Sequence, residues 1–112
     1  MIQGIVSFED WMKLDLRVGK ILEAADIEGA DKLYRMTIDI GDETRTICSG
    51  IKEQYTKEEL KDKPCIVFTN LTPKKLRGIE SHGMILAAVN KDESEVILIT
   101  PEKDAPVGWK VC

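Results

Sequence analysis

Two consecutive stretches of this chain alternate apolar and polar residues with a period of two, and that period commits them to sheet. From Leu14 to Ala24 the apolar Leu14, Leu16 and Val18 interleave with Asp15, Arg17 and Gly19, and from Leu33 to Ile40 the run LYRMTIDI repeats the pattern. Successive side chains of a strand point to opposite faces, so each run predicts one buried and one wet face. Gly41-Asp42 supplies a turn into a third run, Glu43 to Ser49 (ETRTICS), which makes a three-stranded meander.

The remaining elements are shorter. Ser7 to Lys13 (SFEDWMK) predicts a short helix with Ser7 as N-cap, Glu9 and Asp10 in its first turn, and Phe8, Trp11, Met12 and Leu14 on one apolar face. A helix this short is stable only when docked. Thr56-x-x-Glu59 is a capping box and places a second short helix, Thr56 to Leu60, before a fourth strand, Cys65 to Asn70. A fifth strand, Gly83 to Val89 (GMILAAV), completes an order of five strands with a helix between the third and fourth. That is the order of an OB barrel. The fold expected is therefore all-β with short helices: a five-stranded barrel over residues 14–90 and a C-terminal extension over 91–112, in one domain. The extension carries Val96 to Ile99 (VILI), Pro101 and Val107 to Val111 (VGWKV), apolar surface that a closed barrel does not need. It either covers the barrel's own bottom or joins a second subunit.

Charge is distributed unevenly. Residues 1–62 carry nine Lys/Arg against fourteen Asp/Glu, residues 63–90 carry four against one, and residues 91–112 carry three against five. The positive excess sits in the stretch NLTPKKLRGIESHGMIL, Asn70 to Leu86, where Lys74, Lys75 and Arg77 fall within four positions. A net charge of -4 excludes a protein that coats nucleic acid through bulk charge, so a polyanion would be met locally and directionally. The alternative is a solvated basic loop with no ligand. Cys48, Cys65 and Cys112 fit neither a disulfide framework nor a C-x-x-C motif, and Cys48 and Cys65 read as packing thiols. The single histidine, His82, has no second ligand or paired carboxylate at a suitable spacing, so neither a metal nor a cofactor is expected. A Cys48 nucleophile served by His82 lacks anything to orient or activate it. The opening MIQGIVSFEDW has no basic start or apolar run of a secretory signal, and no apolar segment approaches the ~18 residues of a membrane span. The expectation is a cytoplasmic chain without a membrane partner.

DLRVGKI at 15–21, ADKLYRMTIDIG at 30–41, TICSGI at 46–51 and above all NLTPKKLRGIESHGMILAA at 70–88 resemble the tRNA-binding domain found at the C-terminus of many methionyl-tRNA synthetases. The same domain stands alone as a small dimeric tRNA-binding protein, and recurs in synthetase-associated cofactors, the phenylalanyl-tRNA synthetase beta chain and CsaA-type chaperone-like proteins. The resemblance implies an OB barrel whose C-terminal extension builds a homodimer presenting one tRNA surface. It makes the tail and the first helix interface candidates, with Trp11, Val96, Leu98, Pro101, Val107 and Trp109 named for that role. By matching motif positions it also implies RNA contacts for Lys32, Asn70, Lys74, Lys75, Arg77, Ser81 and Met84. Arg17, Arg35 and Arg45 join them as occupants of polar slots in the first three strands.

These residue types suit that work. Lys and Arg neutralise phosphates and release counterions. Asn70 and Ser81 can hydrogen-bond backbone or base edges, and Met84 offers a polarizable apolar surface unless it packs in the core. Arg77-Gly78 suits a tight turn. With two Phe and two Tyr, extensive base stacking of the single-strand-binding kind is poorly supplied, and recognition of folded RNA by shape and backbone fits better. The chain has no HIGH-like or KMSKS-like adenylation signature and no Gly-rich phosphate loop. A non-enzymatic module is expected, homodimeric, delivering tRNA to a methionyl-tRNA synthetase in trans. The alternative from another class is a CsaA-like chaperone that binds unfolded polypeptides.

Overall fold

A computed structural model describes residues 2–112. The meander forms as expected from Leu16–Ile27 (β1), Ala30–Asp39 (β2) and Thr44–Ser49 (β3), all antiparallel. Ahead of it lies a one-turn helix, Phe8–Trp11 (α1), capped by the Ser7 hydroxyl. A capping box between Thr56 and Glu59 starts the second helix, Lys57–Leu60 (α2), which buries Leu60 and leads into Pro64–Phe68 (β4). Six short strands follow: Lys74–Leu76 (β5), Ile79–Ser81 (β6), Met84–Ile85 (β7), Ala87–Val89 (β8), Val96–Leu98 (β9) and Lys110–Val111 (β10).

The main sheet runs β3-β2-β1-β4-β7, with β10 added against the start of β1. β1 curls by two devices. Gly19 lies on its inner face, where a Cβ would stand 2.9 Å from a Val67 methyl and 3.1 Å from one of Ile38, so no side chain fits. Two residues on, a register shift between Ile21 and Glu23 inserts a bulge that sharpens the bend. Curling brings Ile21, Met36, Ile38, Ile40, Ile47, Cys65, Val67 and Ile85 around one core. The Leu14, Leu16, Val18 alternation points the other way. It packs with Ile66, Phe68 and Leu86 beneath the tail residues Ala105 and Val111.

The structure corrects the sequence reading in four places. The barrel is not closed: the edges of β3 and β7 share no ladder, and the chain between them is held to β3 by the His82 N–H donating to the Thr46 carbonyl at 2.9 Å. The expected fifth strand is broken at Leu86, whose N–H donates to the Ile66 carbonyl while its own carbonyl accepts from Ile99 (both 3.0 Å). The backbone thereby leaves β4 and pairs with β9 instead. The basic segment is not a loop but a β5–β6 hairpin. Lastly, α1 buries none of its residues within the chain, and Phe8 is 72% exposed.

The tail takes the first of the two roles foreseen for it and covers the barrel of its own chain. β9 alternates: Leu98 is buried at 6% exposure in the main core with Val96 packed beside it, whereas Ile97 faces outward at 60%. Leu98 and Val96 therefore cover this chain's own barrel and are not free for a partner, because the strand period sends every second residue of VILI inward. Farther on, the tail crosses the β2–β3 turn where Gly41 and Gly108 stack, both at positive φ, and a Cβ on Gly41 would lie 2.8 Å from the Gly108 Cα. That approach lets the Gly108 N–H reach the Val18 carbonyl at 2.8 Å and the Val18 N–H reach the Trp109 carbonyl at 2.9 Å. The Trp109 side chain is left 63% exposed. Pro101 and Val107 are half-buried along the same course.

Candidate nucleic-acid interface

The β5–β6 hairpin pairs Lys74 with Ser81, Lys75 with Glu80 and Leu76 with Ile79, leaving Arg77-Gly78 as a two-residue turn. Both turn residues have positive φ, 52° and 81°, as a type I′ hairpin turn requires. For Arg77, which has a Cβ, the left-handed region costs about 1–2 kcal/mol relative to the right-handed one. Anchorage offsets that cost. Leu76 and Ile79 pack on a small core of Ile27, Ala30 and Cys48, and the buried Ser81 hydroxyl accepts from the Cys48 N–H at 3.0 Å while donating to the Gly83 carbonyl at 3.3 Å. With its apolar pair turned inward, the hairpin holds Lys74, Lys75 and Arg77 in solvent.

Ion pairing divides the cations into two sets. Arg17 is committed: its guanidinium donates twice to the Asp15 carboxylate at 3.0 Å and once to Asp42 at 3.2 Å. That pairing holds the Asp15 carboxyl below its ordinary value and raises Arg17 above its own. Arg45 is committed as well, donating to Glu43 at 2.8 Å and to the carbonyls of Thr69 and His82 at 3.0 and 3.2 Å. It faces inward opposite Ile38 and bridges the open seam of the sheet. Lys13, Lys20, Lys52 and Lys57 each meet an aspartate. Among the described residues the other ten have no acid within 4.0 Å: Lys61, Lys63, Lys91, Lys103 and Lys110 are scattered, whereas Lys32, Arg35, Lys74, Lys75 and Arg77 lie on the hairpin and the neighbouring β2. Lys32 and Arg77 line one cleft of about 280 Å³ at the β1–β2 turn. Arg35 shares another, of about 350 Å³, with Thr37, Thr46 and His82, whose Nε2 lies 2.8 Å from Glu80.

The other residues singled out from the sequence fall on both sides of this division. Asn70 spends both ends of its amide within the chain: Nδ2 donates to the Lys13 carbonyl at 2.7 Å and Oδ1 accepts from the Asp15 N–H at 2.8 Å. It thus ties the end of β4 to the entry of β1. Ser81 is likewise engaged, whereas Met84 is 47% exposed beside Lys74. Burial raises the thiol pKa of Cys48, and that of Cys65 to about 12, the reverse of an activated nucleophile. Among the described residues no three His, Cys, Asp or Glu side chains gather as metal ligands, and no helix is long and apolar enough to cross a membrane.

Residues 16–110 match the family model described as "Putative tRNA binding domain". The chain belongs to the tRNA-binding-domain family. It is 53% identical over 106 residues to the methionine–tRNA ligase of Pyrococcus horikoshii, covering 95% of this chain and 14% of that protein. The chain thus spans about one seventh of the length of such ligases. Among solved structures it is similar to a MetRS-related protein from Pyrococcus horikoshii, with a TM-score of 0.92 and 36% identity over 98% of this chain and all of the other. It is also similar to the chaperone CsaA of Bacillus anthracis, with a TM-score of 0.88 and 27% identity over 97% of this chain and all of that one.

As a member of this family the chain carries its basic motif on a hairpin whose anchors the sequence reading missed. Leu76 and Ile79 flank a two-residue Arg-Gly turn, the spacing of a hairpin signal, and that signal was readable. The bridging of the seam by Arg45 had no local signal. The division between scaffold and free cations has a direct consequence for stability. Ser81→Ala strands the buried Cys48 N–H and should lower unfolding free energy by about 1–3 kcal/mol in urea denaturation, while Lys74→Ala, on the exposed face, should stay within about 0.5 kcal/mol of the parent.

Proposed function

We propose that this chain is a non-catalytic tRNA-binding module that grips folded tRNA through the β5–β6 hairpin and the adjoining β1–β2 turn. The observation that carries the reading is the clustering of Lys32, Arg35, Lys74, Lys75 and Arg77, five cations with no acid partner, on neighbouring elements of a chain whose net charge is -4. In this reading those five and Met84 touch RNA. Asn70, Ser81, Arg17 and Arg45 hold the elements that present them. Phosphate contacts of this kind give shape-directed affinity with little base discrimination. We further propose that two copies join through α1 and the tail, with Trp11, Ile97, Ile99 and Trp109 as contacts. These are large apolar side chains left uncovered in a small chain. Joining two hairpins in one particle raises avidity by effective concentration. The physiological role that fits is a cytoplasmic partner of methionyl-tRNA synthetase that retains or delivers tRNA. Similarity to CsaA together with the uncovered apolar side chains favours a second reading, capture of unfolded polypeptide, whose binding would survive high salt.

Changing Lys74, Lys75 and Arg77 together to Glu should abolish tRNA binding in a filter or fluorescence titration. Arg17→Gln, which removes one positive charge away from the hairpin, should leave the affinity within about twofold. Each cation that truly meets a phosphate contributes about 0.7–0.9 to the slope of log affinity against log salt; a flat salt dependence would contradict the reading. Ile97→Asp with Trp109→Asp should give a monomer by sedimentation equilibrium, and a parent protein that is itself monomeric would overturn the dimer.

A further inference from the structure

Between the segment leaving β4 and the root of the hairpin lies a notch of about 170 Å³ bordered by Lys74. Its walls are Leu71, Leu76 and Met84, its rim carries Thr72 and Lys74, and Gly83 lies in its floor. Gly83 is the one residue that can stand there: at φ 128° a Cβ would come 2.9 Å from the Phe68 carbonyl and 3.3 Å from Ile47. Leu71 and Met84 are exposed large apolar side chains beside unpaired cations, and Met84 presents a thioether suited to an aromatic ring.

Resting on the tRNA-binding reading, we infer that this notch receives one unstacked nucleobase of the bound RNA while Lys74 meets the adjoining phosphate. Size, charge and polarity agree on that occupant. A cavity of about 150 Å³ accepts a benzene ring, so this one holds a single heterocycle and not a stacked pair. The Lys74 ammonium at its edge selects a ring attached to a phosphate chain over a neutral apolar ligand. Of the two side-chain hydroxyls lining it, Ser81 is consumed by Cys48 and Gly83, and only Thr72 makes no hydrogen bond among the described residues. The notch therefore contacts the face of a base through Leu71 and Met84 and offers its edge one side-chain hydroxyl, that of Thr72. It distinguishes folded RNA, whose loops and ends expose unstacked bases, from a uniform duplex whose bases are stacked and paired.

The test is a titration of protein carrying ¹³C-methyl methionine with bulk tRNA, followed by NMR. The Met84 methyl should move upfield under the ring current of the inserted base, while the methyl of the fully buried Met36 stays in place. In parallel, Met84→Ala should weaken tRNA binding by about tenfold, as loss of one base contact does, with the salt slope unchanged and affinity for a blunt duplex RNA unaffected. An unmoved Met84 methyl in a complex that still requires Lys74, Lys75 and Arg77 would overturn the notch and leave the tRNA reading standing. Absence of any tRNA binding by the parent protein would overturn both, and the affinity measurement reports that separately.

Discussion

The sheet of this protein ends on two strand edges, β3 and β7, that approach each other without forming a ladder, and the way that seam is held determines where the basic hairpin sits. An open edge exposes unpaired backbone groups and invites mispairing. Here the edge is occupied by substitutes for a ladder: the His82 N–H on the Thr46 carbonyl, the Ser81 hydroxyl on the Cys48 N–H, and the Arg45 guanidinium on the carbonyls of Thr69 and His82. All three fasten the segment that begins or ends the β5–β6 hairpin. A regular ladder would have continued the strand and left no room for an excursion. The seam lets fifteen residues, 69–83, leave the sheet, turn, and return in fixed register.

Charge follows the same division of labour. The acids outnumber the bases by four, and a few are set against particular cations: Asp15 and Asp42 on Arg17, Asp26 on Lys52 and Lys57, Glu43 on Arg45. Such exposed pairs add little stability individually. Their effect on the surface is larger than their effect on the fold, since they take up Arg17, Arg45, Lys52 and Lys57 and leave Lys74, Lys75 and Arg77 of the hairpin unpaired. A polyanion approaching an overall negative particle is then drawn to one face and repelled from others, which favours one orientation at the expense of bulk affinity.

Much of the architecture could be read in the residues, and the failures are instructive. Period-two alternation located the meander, and the Thr56–Glu59 box located α2, because both signals are local. Alternation said that Leu14, Leu16 and Val18 share a face but not which face. The triplet covers the tail's side of the sheet while the odd-numbered Gly19 and Ile21 face the core, and the bulge after Ile21 flips the parity so that Ala24 also packs on that core. The fifth strand failed at Leu86 because its carbonyl is claimed by Ile99, a partner thirteen residues away that no window of periodicity sees. Residue type marked Asn70, Arg17 and Arg45 as polar groups available to a ligand. Only coordinates reveal that each is already satisfied by Lys13 and Asp15, by Asp15 and Asp42, or by Glu43 and two carbonyls.

The central claim is that RNA is met by the hairpin and the β1–β2 turn, and that the seam, the tail and the first helix are scaffold. Amide hydrogen exchange with and without saturating tRNA tests it most directly, because it maps the contact without altering a residue. The account predicts added protection confined to residues 29–35 and 72–84, with α1 and the tail from Ser94 to Val111 unchanged. Protection centred on α1 or the tail, with the hairpin unaffected, would contradict it.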